Sequence, residues 1–274
     1  FLSECSNYNS VEARRKSRTK ERGRKVFEQN NIPHANGSVF VNPFKAYSFV
    51  KKNGFPVVLK PNYGGFSRGS FFPIRSYGEL LKSLFLVKFF WPKTVIESFM
   101  SGKNYRVVVA KGKVIAITRR YAAFVNGNGK NTILELINEE NKVREKMKLY
   151  PVISPINPDK KLISFLKKND LNLNDIPKKG EHIRLGRKIT LATGGIVENL
   201  PMSEISEKNV ELFKKVLECF DSSLLGIDVI FEKGIDADYD KQKCILLEVN
   251  SRPYIKMHSY PRYGEPVNIK SFME

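Results

Sequence analysis

Three oxygen-bearing side chains near the C-terminal end of the chain have the spacing of a metal site. In Leu246-Leu247-Glu248-Val249-Asn250, strand alternation puts Glu248 and Asn250 on one face and Leu247 and Val249 on the other, in an apolar layer. About 20 residues earlier runs a second apolar stretch, residues 225–231, whose single charge is Asp228. If the two stretches pair as strands, three oxygen donors meet at one spot. Mg²⁺ suits such a set, because it takes one or two carboxylates and leaves its other positions to phosphate and water. The competing reading of these residues alone is polar strand ends facing water. A phosphate signal stands earlier. Residues 55–61 form a short apolar run carrying Lys60, followed by the glycine turn Asn62-Tyr63-Gly64-Gly65-Phe66-Ser67-Arg68-Gly69. A lysine before a flexible glycine loop offers one point charge and several backbone N–H groups to phosphates. The turn is neither a Walker loop nor a dinucleotide fingerprint, since no helix opens on a Gly-Lys-Ser/Thr unit.

The elements that must hold these residues follow from pattern and caps. Residues 10–31 read as one basic helix with Ser10 as its cap, closed by Ile32-Pro33. Asn42-Pro43 opens a short helix. Ser76 with Glu79, and Thr132 with Glu135, have capping-box spacing and predict helices over 77–88 and to about 146. Residues 94–97 read as a strand. Residues 105–110 and 113–119 read as a hairpin turned at Lys111-Gly112. Residues 147–187 read as a mixed linker with a small helix at 159–168 and a basic strand-like piece at 180–187, and Thr193-Gly194-Gly195 as a tight turn. Val210, Phe213, Val216, Leu217 and Phe220 recur at helical spacing, the core stripe of a helix over 206–220.

Composition bounds the partners. With 274 residues, 41% apolar and 11% aromatic, the chain can bury a sizeable core and is not a disordered tail. The longest apolar run, residues 84–91, is too short to span a membrane and contains Lys88. No signal peptide is evident, and the missing initiating Met suggests a cut-out piece. Cys5, Cys219 and Cys244 are odd in number and unrelated in spacing, which speaks against a disulfide framework or a metal motif and for a reducing cytoplasm. A net charge of +19 attracts nucleic acid, anionic lipid headgroups or polyanionic substrates. The alternative is a Lys-rich composition spread over a solvated surface. His34 and His182 read as surface residues.

Taken in order, the parts are a strand with lysine and glycine loop, a strand with Glu97 and a hinge, a strand with Asp228, and a Glu-x-Asn strand. This order resembles the ATP-grasp ligases, in particular the cyanophycin synthetase and bifunctional glutathione synthetase branch. Residues 126–137, 170–180 and 257–264 are similar to that branch's loop-and-helix, pre-turn and C-terminal signatures. The likeness covers about residues 18–268. It implies an α+β fold in which two subdomains clamp ATP: a helical and linker segment at 1–51, a lid at 52–100, and a metal-bearing subdomain at 101–274, with the family's N-terminal substrate domain absent. It assigns Lys20 and Lys60 to the nucleotide, and Gly64, Gly65, Ser67 and Gly69 to a loop over the phosphates. Glu97, Ser98, Phe99 and Met100 become the adenine hinge. Asn104 stands where many relatives have an acidic ribose contact. Asp228, Glu248 and Asn250 become the metal ligands. Arg106, Arg119 and Arg187 are candidates to hold the carboxylate or acyl phosphate, joined by Arg252 and His258 just beyond the metal strand.

The implied activity is ATP-dependent ligation of a carboxylate, from an amino acid or peptide, to an amine through an acyl phosphate, releasing ADP and phosphate. The implied cofactors are ATP with Mg²⁺, in two-ion form, or Mn²⁺ in its place. An anionic acceptor and a homo-oligomer stay open. Two other classes are kept beside it. One is a basic nucleic-acid-binding module, which has no use for converging metal oxygens. The other is a non-ligating nucleotide sensor or kinase on the same fold.

Overall fold

The computed structural model describes residues 8–64 and 69–272. The chain divides into two compact units. One is formed by the chain up to Ile117 with Met202–Tyr254, the other by Thr118–Pro201 with the chain from Ile255 onward.

In the first unit, the basic stretch expected as one helix is two, α1 (Val11–Ser17) and α2 (Lys20–Gln29). Ser10 caps the first, its hydroxyl accepting from the Ala13 N–H at 3.0 Å. The break comes at Thr19, which is extended and accepts from the Arg22 N–H at 3.2 Å, so it starts a second helix rather than continuing the first. Next come β1 (Gly37–Phe40), α3 (Phe44–Asn53), β2 (Val57–Pro61), β3 (Phe71–Ile74), α4 (Tyr77–Phe90) and β4 (Thr94–Ser98), with strand order β1-β4-β2-β3. Gly37 lies opposite Glu97, which lies opposite Val58; Lys60 lies opposite Val95. Opposed residues share a face and successive ones alternate. Phe40, Val57, Leu59 and Ile96 therefore point to one side, where they meet Phe49 and Val50 of α3 and Leu80, Leu84 and Val87 of α4 in one apolar cluster. The other side carries Lys60 and Glu97. The box expected at α4 is half made. Ser76 accepts from the Glu79 N–H at 3.2 Å, but the Glu79 carboxylate takes the Arg75 N–H at 2.7 Å.

The hairpin of β5 (Lys103–Ala110) and β6 (Lys113–Tyr121) turns at Lys111-Gly112, whose φ values of 48° and 73° are the left-handed pair a two-residue turn needs. The second unit contains β7 (Phe124–Asn126), α5 (Ile133–Lys146), α6 (Lys160–Lys167), β8 (His182–Arg184) and β9 (Ile196–Leu200). Here the Thr132/Glu135 capping box is complete. Ile133 and Ile137 of α5, Leu162 and Leu166 of α6, and Val125 and Ile183 of the paired β7 and β8 close one core.

The chain returns to the first unit with α7 (Glu207–Cys219), β10 (Leu224–Phe231) and β11 (Cys244–Asn250). Phe213, Val216, Leu217 and Phe220 are buried as their spacing predicts. Asn209, fully buried on α7, donates to the carbonyls of Ile235 and Ala237 and accepts from the Tyr239 N–H, which pins the β10–β11 connection. In the first unit the strand order is β11-β10-β5-β6, and every residue of β10 is buried. A last helix, α8 (Lys256–Ser259), belongs to the second unit. No helix among the described residues is long and apolar enough to cross a membrane.

Candidate active site

β10 and β11 pair antiparallel with Asp228 opposite Glu248 and Gly226 opposite Asn250, so the three oxygen-bearing side chains share one face. On the other flank β5 sets Arg106 opposite Asp228. Its Nε and Nη2 donate to the two carboxylate oxygens at 2.5 and 2.9 Å. Burial works against the Arg106 charge, but Asp228 outweighs it and holds the guanidinium pKa above its ordinary value. Arg106, proposed from the sequence as a substrate ligand, is thus engaged by Asp228.

The register shifts between Asp228 and Val229. Val229 faces Leu246, and Leu247 is left as an extra residue on β11. Such a β-bulge re-aims side chains. It corrects the simple alternation expected here: Leu246 and Val249 are buried, while Leu247 is half-buried beside Glu248.

A cavity of about 290 Å³ in the first unit is lined by Lys20, Arg24, Gly64, Glu97, Leu247 and Glu248, among others. Lys20, the first residue of α2, sends Nζ to the Gly64 carbonyl at 3.0 Å and to within 3.6 Å of Glu248. Burial lowers its pKa below the lysine value, partly offset by Glu248, with nearby Lys60 lowering it further. Lys60 Nζ lies 2.6 Å from Glu97, both side chains about nine-tenths buried. Arg24, one turn beyond Lys20, brings Nη1 within 3.6 Å of the same carboxylate and donates from Nη2 to the Ala35 carbonyl at 2.5 Å. Sequence reasoning missed Arg24. Its signal was the four-residue spacing from Lys20, which puts both on one helix face. Of the glycine loop, Gly64 and Gly69 have φ of 117° and 67°, values suited to glycine. Gly65 and Ser67 lie outside the described residues.

The segment expected as the adenine hinge, residues 97–100, begins within β4 and runs past its end. The Ser98 and Phe99 N–H groups donate to the carbonyls of Asn36 and Pro56 at 2.8 and 3.0 Å. Phe99 and Met100 line a second cavity of about 570 Å³, with Tyr239, Gln242 and Cys244 on its walls. The Cys244 thiol, buried there, has its pKa pushed up to about 12. Asn104 lies on β5 opposite Ile230. Arg252 is exposed just beyond β11.

Arg119, Arg187 and His258 belong to the second unit. Arg119 stacks on the Tyr121 ring at 4.7 Å, and Arg187 is exposed. His258 is fully buried. Its Nδ1 is 2.6 Å from the Thr118 hydroxyl, which donates to Asn199 Oδ1 at 2.8 Å. The Asn199 amide is oriented by donating from Nδ2 to the carbonyls of His258 and Glu265. Thr118 has one proton and gives it to Asn199, so His258 Nδ1 is the donor in its bond. Gly194, in the Thr193-Gly194-Gly195 turn, has the left-handed φ of 75°.

Asp228, Glu248 and Asn250 fit a Mg²⁺ ion by donor chemistry, all oxygen. The Asn250 amide nitrogen is buried with no hydrogen-bond partner among the described residues, a donor that a phosphate or water oxygen at this site would satisfy. No cluster of three or more His, Cys, Asp or Glu side chains suited to a metal occurs among the described residues. The present set has two acids and an amide, which suits an ion whose remaining positions belong to phosphate and water.

No family model matches the chain. It is 29% identical to cyanophycin synthetase from Trichormus variabilis over 254 residues, 91% of this chain and 28% of that protein. Among solved structures it is similar to a bifunctional glutathione synthetase from Pasteurella multocida, with TM-score 0.69 and 19% identity over 97% of this chain and 36% of that one. It also resembles the ATP-grasp ligase PsnB complexed with minimal precursor, with TM-score 0.54 and 13% identity over 97% of this chain and 60% of that one. The chain spans about three-tenths of the length of the curated relatives it matches. Two sheets, one with Lys60 and Glu97 and the other with Asp228, Glu248 and Asn250, lie within a fold like that of the ATP-grasp ligases, which the chain resembles in sequence and in structure.

Proposed function

We propose that this chain handles ATP in a ligase that activates an amino-acid or peptide carboxylate as an acyl phosphate and joins it to an amine, releasing ADP and phosphate. The observation that carries the reading is the charge cluster of one cavity. Lys20 and Arg24 line it together with two carboxylates, Glu97 and Glu248, and Lys60 stands behind Glu97 as a third cation of the cluster. The surplus positive charge, largely withdrawn from water, favours a polyanion.

Lys20 and Lys60 hold phosphate oxygens as Lys60 leaves Glu97, and Arg24 remains with Glu97. The glycine loop at 64–69 closes over the phosphates. The sheet of β1–β4 with α3 and α4 forms the lid. Because the Ser98 and Phe99 N–H groups are already used, Met100 is the hinge residue that meets the adenine edge. Asn104 faces the ribose. Asp228, Glu248 and Asn250 would hold Mg²⁺, as two ions, and Mn²⁺ shares the same oxygen preference. The metal neutralises phosphate charge when bound. Arg106 positions Asp228. Arg252 in the first unit, and Arg119 and Arg187 in the second, are separate candidates to receive the carboxylate, and His258 orders the last loop. The net charge of +19 favours anionic acceptors. Positioning and charge neutralisation supply the catalysis, which explains why no nucleophile is needed.

The test is ADP release across a panel of amino acids and peptides, with mass spectrometry of the products. The expected result is ADP release that depends on a carboxylate–amine pair and an amide product. ATP hydrolysis indifferent to both substrates, or transfer of phosphate to an acceptor with no amide formed, would overturn it.

A further inference from the structure

The outward side of the two lid helices carries an apolar ridge that the fold does not use. Leu81, Phe85 and Phe89 follow one another at four-residue steps along α4 and are 68%, 75% and 77% exposed. Leu86 and Phe90 lie beside them. On α3, Phe44 is 77% exposed, and Tyr47 meets Tyr77 of α4 with ring centroids 5.2 Å apart. The opposite side of α4 already supplies Leu80, Leu84 and Val87 to the sheet core, so this second apolar row has no part in the folding of the unit. Contiguous patches of this kind mark contact surfaces.

The charges around the ridge say what it contacts. Lys45, Lys51 and Lys52 of α3 and Lys82 of α4 are all exposed. The two helices contain no arginine, and their only acid is Glu79, which accepts from the Arg75 N–H. Protein interfaces are depleted of lysine and enriched in arginine. Phe, Leu and Tyr rimmed by lysine are instead the make-up of a helix face lying in a lipid headgroup layer, where rings enter the acyl boundary and lysine stems reach back to the phosphates. A second copy would set lysines against lysines.

We infer that the outer face of α3 and α4 docks on an anionic phospholipid surface. Lys60 and Glu97 are on the opposite face of the same sheet, so docking leaves the nucleotide cavity uncovered. The net charge of +19 adds long-range attraction to such a surface. The inference does not depend on the ligase reading.

The whole chain is tested by co-sedimentation with vesicles of phosphatidylcholine alone or with about 30% phosphatidylserine. Binding is expected on the anionic vesicles only, falling steeply with salt. Brominated lipid should quench Trp91, the only tryptophan, whose ring is 5.6 Å from that of Phe90. Phe85→Glu with Phe89→Glu should weaken partition by at least about tenfold with unfolding temperature unchanged. Lys51→Glu with Lys52→Glu should weaken it without altering the apolar ridge. Equal binding to both vesicle types, or partition indifferent to both double variants, overturns the inference. So does association with a second copy or another protein that Phe85→Glu/Phe89→Glu abolishes while vesicle partition persists.

Discussion

Lys60 and Glu97 project from the same face of neighbouring strands and meet at 2.6 Å, largely withdrawn from water, with the Arg24 guanidinium on the far side of the carboxylate. A carboxylate held by two cations can release one of them to an incoming phosphate without being left bare. Lys60→Ala should lower ATP turnover by about 10²–10³-fold, the scale of losing one charge-stabilising donor. Glu97→Gln should destabilise the free protein by about 3 kcal/mol, because it strands the buried Lys60 ammonium, while Arg24 keeps Glu28 at 3.0 Å. ATP with Mg²⁺ should then raise the melting temperature more in Glu97→Gln than in the parent, since the anion supplies the missing charge. Unchanged turnover in Lys60→Ala removes that lysine from the site.

Glu248 is half-buried beside the bulge at Leu247, within reach of Lys20 and on the same face as Asp228 and Asn250. Glu248→Ala should abolish ATP turnover at any Mg²⁺ concentration while far-UV circular dichroism and the unfolding midpoint stay near those of the parent. Turnover near the parent rate would dissolve the metal assignment.

Gly37 owes its identity to crowding, with nothing special in its backbone. A Cβ there would lie 2.5 Å from Arg24 Nη1, 2.5 Å from the Ile96 carbonyl oxygen and 2.6 Å from Glu97 Cγ. The guanidinium can move, but the carbonyl belongs to the β4 ladder. Gly37→Ala should therefore cost about 1–3 kcal/mol in urea unfolding, with the denaturant slope unchanged. It should also weaken ATP binding by displacing Arg24 from Glu97.

What the sequence disclosed and what it hid divide along the range of the interactions. The pairing of β10 with β11 was legible because each is an apolar run with isolated polar residues. The α5 cap was legible because Thr132 and Glu135 satisfy one another locally. The bulge at Leu247 was not, since it exists only in the register between two strands. Nor was the engagement of Arg106 by Asp228, which joins residues 122 positions apart. β1 and β3, four residues each, are too short for alternation to show. Arg24 was hidden by the crowd of basic residues around it. Only the fold reveals that it turns inward while Arg14 and Arg15 do not pass into the cavity.

Lys20 gives the site a pH dependence of known sign. Burial is the largest influence on its pKa and lowers it below 10.5, and Lys60 adds to the effect while Glu248 and Glu97 oppose it. The folded state thus gives up the proton before the unfolded state does. Between the lowered value and 10.5 the unfolded chain binds more protons, so this group makes the nucleotide-free protein more stable as pH rises through that window. Nucleotide affinity should move the other way, because only the ammonium form holds phosphate. A bound polyanion restores the charge, so ATP binding in that window should take up a proton. Calorimetric titrations in buffers of different ionisation enthalpy, repeated across the alkaline range, measure that uptake. Lys20→Met should abolish it and flatten the alkaline fall in affinity. If proton uptake persists in Lys20→Met, the titrating group lies elsewhere in the cavity.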